Sequence, residues 1–171
     1  MVKFDMEKAR TVGDLFDLAI AVEKKAEAFY RGLSERFSVP PEAADFWKGM
    51  MRDETMHAKE LQGIRDSMSP SGLLDSADPE AVRGLEEEAE RFSGFYDPSA
   101  ARTLDEAYEM AYRLESSEIN SKIETLIREF VPYQERVDFI LRVLERHVGK
   151  LDDVSAIFGN AERRAGIKPV C

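Results

Sequence analysis

Four long segments of this chain carry apolar residues at three- and four-residue steps, and the connections between them run short, long, short. Such spacing lines one face of an α-helix. It predicts helices over about 12–37, 41–67, 104–130 and 133–158. In the first the stripe is Leu15, Phe16, Ala19, Ile20, Val22, Ala26, Phe29, Tyr30 and Leu33; in the fourth it is Val137, Ile140, Leu144, His147, Leu151, Val154 and Phe158. Thr11, with Asp14 three residues on, fits a capping box at the first start, and Pro40 and Pro41 close the first connection. Short connections make neighbours antiparallel, whereas the crossover over about 69–102 is long enough to travel back along a helix. The fold class this implies is all-α: an antiparallel four-helix bundle with one long crossover between its second and third helices. Within that crossover SPSGLLDSADP and GFYDPSA read as loops and Pro79 to about Phe92 as a short helix. Residues 1–158 form the expected domain and 159–171 a C-terminal tail.

The chain has 171 residues and a formal net charge of −10, which argues against a nucleic-acid partner and against docking on an anionic membrane. Its one cysteine, Cys171, cannot form an internal disulfide or a cysteine-based metal site, and fits a reducing compartment. No segment has the apolar length of a signal core or a membrane span. A cytoplasmic location is the expectation.

The chain has two histidines, and both fall on the predicted inward stripes. The halves also resemble each other. AIAVEKKAEAFYRGLSERF matches AYRLESSEINSKIETLIREF, with Glu23 and Glu115 each four residues after an alanine. ETMHAKEL matches LERHVGKL, with His57 and His147 each four residues before a leucine. Both pairs are offset by about ninety residues. Glu54 and His57 stand three apart, on one face of a helix, among Met50, Met51, Ala58 and Leu61. Ionisable groups that face a bundle core must be paired, shift their pKa values strongly, or ligate a metal. Carboxylates with imidazoles suit iron(II) or manganese(II), and bundles with two carboxylate-bound irons draw Glu and Glu-x-x-His ligands from facing helices.

AVEKKAEAFY, followed some thirty residues on by DETMHAKEL, resembles the rubrerythrin branch of the ferritin-like superfamily, over about residues 10–158. Glu23, Ala26 and Tyr30 match the family's first-helix pattern, and Glu115-Ser-Ser-Glu118 matches its third-helix Glu-x-x-Glu. The resemblance implies a ferritin-like fold with Glu23, Glu54, His57, Glu115, Glu118 and His147 as metal ligands. Tyr30 would hydrogen-bond a ligand carboxylate from outside the metal. It further implies two iron ions, reduction of peroxide or oxidation of iron(II), and a homodimer. The family's fourth-helix Glu-x-x-His is not kept, since Leu144 stands three residues before His147. Either Glu118 replaces that lost bridge in a distorted two-metal site, or one ion of iron, manganese or zinc fills what remains. These 171 residues contain no Cys-x-x-Cys pair of the kind that the family's rubredoxin domain uses, so an external, rubredoxin-like electron donor is expected.

Blander readings accompany each residue. Glu54 and His57 suit an exposed helical pair, and Glu27 is an exposed neighbour of Glu23. Lys122 is placed to neutralise Glu118 one turn on. Met50, Met51 and Met56 read as core filling, and EEEAE at 86–90 as a solvated face. Loss of the Glu at 144 supports a further alternative: a ferritin-fold module with a degenerate site and an interaction role.

Overall fold

The computed structural model describes residues 10–117, 119–144 and 150–151. Every regular element there is helical: α1 (Val12–Arg36), α2 (Pro41–Ser67), α3 (Pro70–Leu74), α4 (Pro79–Phe95), a 3-10 turn (Pro98–Ala100), α5 (Leu104–Glu115), α6 (Ile119–Phe130) and α7 (Gln134–Leu144). The start signals explain most boundaries. Thr11 accepts from the Asp14 amide while Asp14 accepts from the Thr11 amide, which satisfies two orphan donors of α1 reciprocally. Pro41, at the first position of α2, needs no amide partner there. Asp78 caps α4 through the amides of Glu80 and Ala81, and Thr103 caps α5 through Glu106.

Two expectations change. The stretch read as a loop after α2 contains α3, because Ser69 caps the Gly72 amide and Pro70 supplies the first helical φ. The helix expected over 104–130 is two helices. α5 stops at Glu115, where the amides of Ser116 and Ser117 turn back to the carbonyls of Tyr112 and Leu114. The fourth predicted helix is described to Leu144 and again at 150–151; the remainder to 158, and the tail, lie outside the described residues.

The crossover lies along α1. The Val12 amide donates to the Asp75 carbonyl and the Ala77 amide to that of Arg10, a short bridge at Thr11 and Ser76. Further along, the Pro98 ring seats on Gly32 so closely that a Cβ there would lie 2.4 Å from Pro98 Cγ, so only glycine fits.

Apolar side chains form two clusters, and the helices cross from one into the other. Leu15, Phe16, Ala19 and Ile20 of α1 meet Leu61 and Ile64 of α2, with Leu85, Ile123, Ile127 and Ile140, in the first cluster. Phe29, Tyr30 and Leu33 meet Trp47 and Met50, with Phe92, Ala107, Ala111 and Leu151, in the second. α1 and α2 therefore run antiparallel. Where a chain segment changes cluster it carries a buried carboxylate: Glu23 in α1, Glu54 in α2, Glu88 in α4 and Glu115 at the end of α5. α7 adds Ile140 to the first cluster, and Leu151 lies in the second.

No described helix is long and apolar enough to cross a membrane. Met56, read as core, is on the outer face of α2 with nearly half its surface exposed.

Candidate metal centre

The polar layer between the two clusters is built by helix periodicity. Glu23 follows Ala19 and Ile20 on the inner face of α1, and Glu54 and His57 follow Met50 on the inner face of α2. Exposure is 4% for Glu23, 3% for Glu54, 4% for His57 and 5% for Glu115, so none of the four exchanges freely with bulk water. A buried unpaired carboxylate is costly, and the layer answers that cost locally. His57 Nδ1 lies 3.0 Å from Glu54 Oε2 and 3.6 Å from Glu23 Oε2. Burial, with the Glu54 carboxylate beside it, pushes the Glu23 carboxyl up to about 8. Burial alone would lower His57, but its hydrogen bonds to Glu23 and Glu54 outweigh that and raise it to about 9. The trio therefore takes up protons more readily than the same side chains do in water.

Those same atoms can take a cation. Glu23, Glu54 and His57 each offer one ligand atom, all within 4.8 Å of one another. Two donors at ~2.1 Å from a shared ion lie ~3.0 Å apart at right angles and ~3.6 Å apart at ~120°. The His57–Glu54 and His57–Glu23 separations, 3.0 and 3.6 Å, lie within the reach of such a shared ion. Two carboxylate oxygens and one imidazole nitrogen suit iron, manganese or zinc, so the residues present fit the expected ion.

Glu115 faces the trio across a small cavity. Its volume, about 10 Å³, is roughly one water sphere. Glu23, Glu54, Glu115 and Asn120 line it, together with Val22, Phe92 and Ile123. Both Glu115 oxygens are engaged. The Tyr30 hydroxyl donates to Oε1 at 2.5 Å, and Asn120 Nδ2 approaches Oε2 at 3.4 Å. Tyr30 is fully buried, and burial together with the Glu115 charge holds its hydroxyl well above the usual tyrosine range. It is therefore a donor at all physiological pH. Its ring stacks on Trp47 at 6.1 Å.

Of the six sequence-predicted ligands, the structure brings Glu23, Glu54 and His57 together and sets Glu115 across the cavity, with Tyr30 on its far side. Glu118 and His147 lie outside the described residues. Lys122 reaches Glu88 on α4 at 3.6 Å, and its expected pair with Glu118 lies outside the described residues.

Sequence reasoning missed two residues. Glu88 sits in a run of acids read as solvated, yet it is 4% exposed, held by Arg91 and Lys122. The signal was present: Glu88 falls on the stripe of Val82, Leu85 and Phe92. Gly84 leaves the room for Lys122, whose Cε would be 2.9 Å from a Cβ there. Asn120 carried no legible signal, because its role depends on the break in the helix before it.

Compared with protein-family models, curated proteins and solved structures, the chain matches none.

Proposed function

We propose that this chain is a divalent-metal protein of the ferritin-like, rubrerythrin-like kind, with a four-helix bundle around a carboxylate–histidine centre. The observation that carries this reading is the convergence of Glu23, Glu54 and His57 within 4.8 Å inside a layer closed to solvent by two apolar clusters. Glu115 would complete the centre, with Glu118 and His147 as the remaining ligands; Lys150, three residues after His147, pairs with Asp53 beside Glu54, which supports that register. A bound iron pair would supply the two electrons that reduce peroxide to water, restored by a separate rubredoxin-like donor, or would pass electrons from substrate iron(II) to dioxygen or peroxide. One ion of iron, manganese or zinc is the smaller version of the same reading. The chain's own residues hold the donors in place, exclude bulk water, and keep Tyr30 as a fixed hydrogen-bond donor. Glu23 and His57 release protons when a cation arrives.

One observation favours a second reading, a metal-free module with a degenerate site. His57 already hydrogen-bonds Glu54 and lies within ion-pair distance of Glu23. Anaerobic loading with iron(II), desalting and elemental analysis separates the two. The metal reading expects one to two irons per chain, abolished by Glu23→Ala. No iron, manganese or zinc retained by the parent would establish the module instead.

A further inference from the structure

We propose that Asn120 is a positioning residue that fixes the Glu115 carboxylate for a bound cation; this rests on the metal reading above. α5 ends on Glu115, and a helix end leaves its last carbonyls without intrahelical partners. Asn120, in the first turn of α6, reaches back over the break and donates Nδ2 to the Glu115 backbone oxygen at 3.1 Å. The same nitrogen lies 3.4 Å from Glu115 Oε2. A carbonyl and a carboxylate are both acceptors, so the amide must present its NH2 edge to this residue. Tyr30 donates to the other carboxylate oxygen from α1.

Glu115 is therefore gripped at its backbone and at both side-chain oxygens, by donors from two different helices. Glu115 lines the same cavity as Glu23 and Glu54. A carboxylate at the end of a helix has more freedom than one within it. Without the amide, Glu115 would swing about its Tyr30 contact and present a cation with a less ordered oxygen. Groups that orient a ligand in this way change metal affinity by about 10–100-fold when removed.

An asparagine that only capped α5 would affect melting and leave metal affinity alone. The test is therefore affinity for manganese(II) and cobalt(II), by competition with a chelator, together with the cobalt visible spectrum. Asn120→Ala and Asn120→Asp are compared with the parent, and thermal melting by circular dichroism checks that each folds. Aspartate keeps the shape and loses the donor, and it carries the test if the alanine variant does not fold. The expected result is a loss of about tenfold in affinity for both variants, with an altered cobalt spectrum. Unchanged affinity and spectrum in folded variants would overturn the role of Asn120 and leave the metal reading intact. Tighter binding by Asn120→Asp would also overturn it, by showing that position 120 ligates directly. A parent that binds neither ion would remove the metal reading and this proposal with it.

Discussion

The two halves of this chain carry matching sequence patterns but build them differently. In the first half, α1 and α2 are unbroken over 25 and 27 residues. They deliver Glu23, Glu54 and His57 to one point by periodicity alone. In the second half, the helix that should mirror α1 stops at Glu115, so the carboxylate equivalent to Glu23 sits at a helix end. Glu23 is held by the histidine of its own hairpin, whereas Glu115 is held by Tyr30 from α1 and Asn120 from α6. An uninterrupted helix fixes a ligand through its backbone; a broken one must fix it through side chains. The first half supplies a rigid set of donors and the second an adjustable one.

Removing the rigid half should have the largest effect. Glu54→Ala deletes the carboxylate closest to His57 and should lower affinity for iron(II) or manganese(II) by more than about 100-fold, as loss of a ligating group does, measured by chelator competition. Retained binding would mean that the second half holds the ion without the trio.

The next effect is on pH dependence. Glu23 is raised from 4.5 to about 8 and His57 from 6.5 to about 9, so in the metal-free protein the folded state binds more protons than the unfolded one over this range. Stability must then fall as pH rises, first through the Glu23 window and then through that of His57. A loss on the order of a few kcal/mol between about pH 5 and pH 9 should appear in melting scans. A bound cation has to expel those protons, so its affinity should rise over the same window. A pH-independent affinity would place the ion elsewhere.

Tyr30→Phe probes the adjustable half. It removes one of the two side-chain donors to Glu115 and leaves a buried carboxylate less satisfied, at a cost of about 1–3 kcal/mol in chemical denaturation. Its metal affinity should fall less than that of Glu54→Ala. A larger fall would reverse the ranking of the halves.

Glu27→Ala should do least. Glu27 is one turn from Glu23, is partly buried and pairs with the half-exposed Arg31 on the next turn of α1. Such pairs contribute about 0–1 kcal/mol. Melting and metal affinity should match the parent.

How far the sequence revealed this arrangement depends on the half. The α1 and α2 boundaries, the Thr11–Asp14 cap and the inward face of Glu23, Glu54 and His57 follow from local rules, because nothing interrupts either helix. Glu115 was legible as a buried position and the break after it was not. Ser116 and Ser117 are only mild helix disfavourers, and their turn depends on tertiary packing. Asn120 was invisible for the same reason. Glu88 was hidden by its neighbours Glu86, Glu87 and Glu90, although its place on the α4 stripe marked it. α3 was hidden in a stretch whose Ser-Pro start signal was read as a loop.

The most direct test is anomalous diffraction at the iron edge from crystals of protein loaded anaerobically with iron(II). The account predicts a peak within about 2.5 Å of the Glu23 and Glu54 carboxylates and His57 Nδ1, the distance expected of directly ligating atoms. Density confined to surface carboxylates, or none between the two apolar clusters, would contradict it.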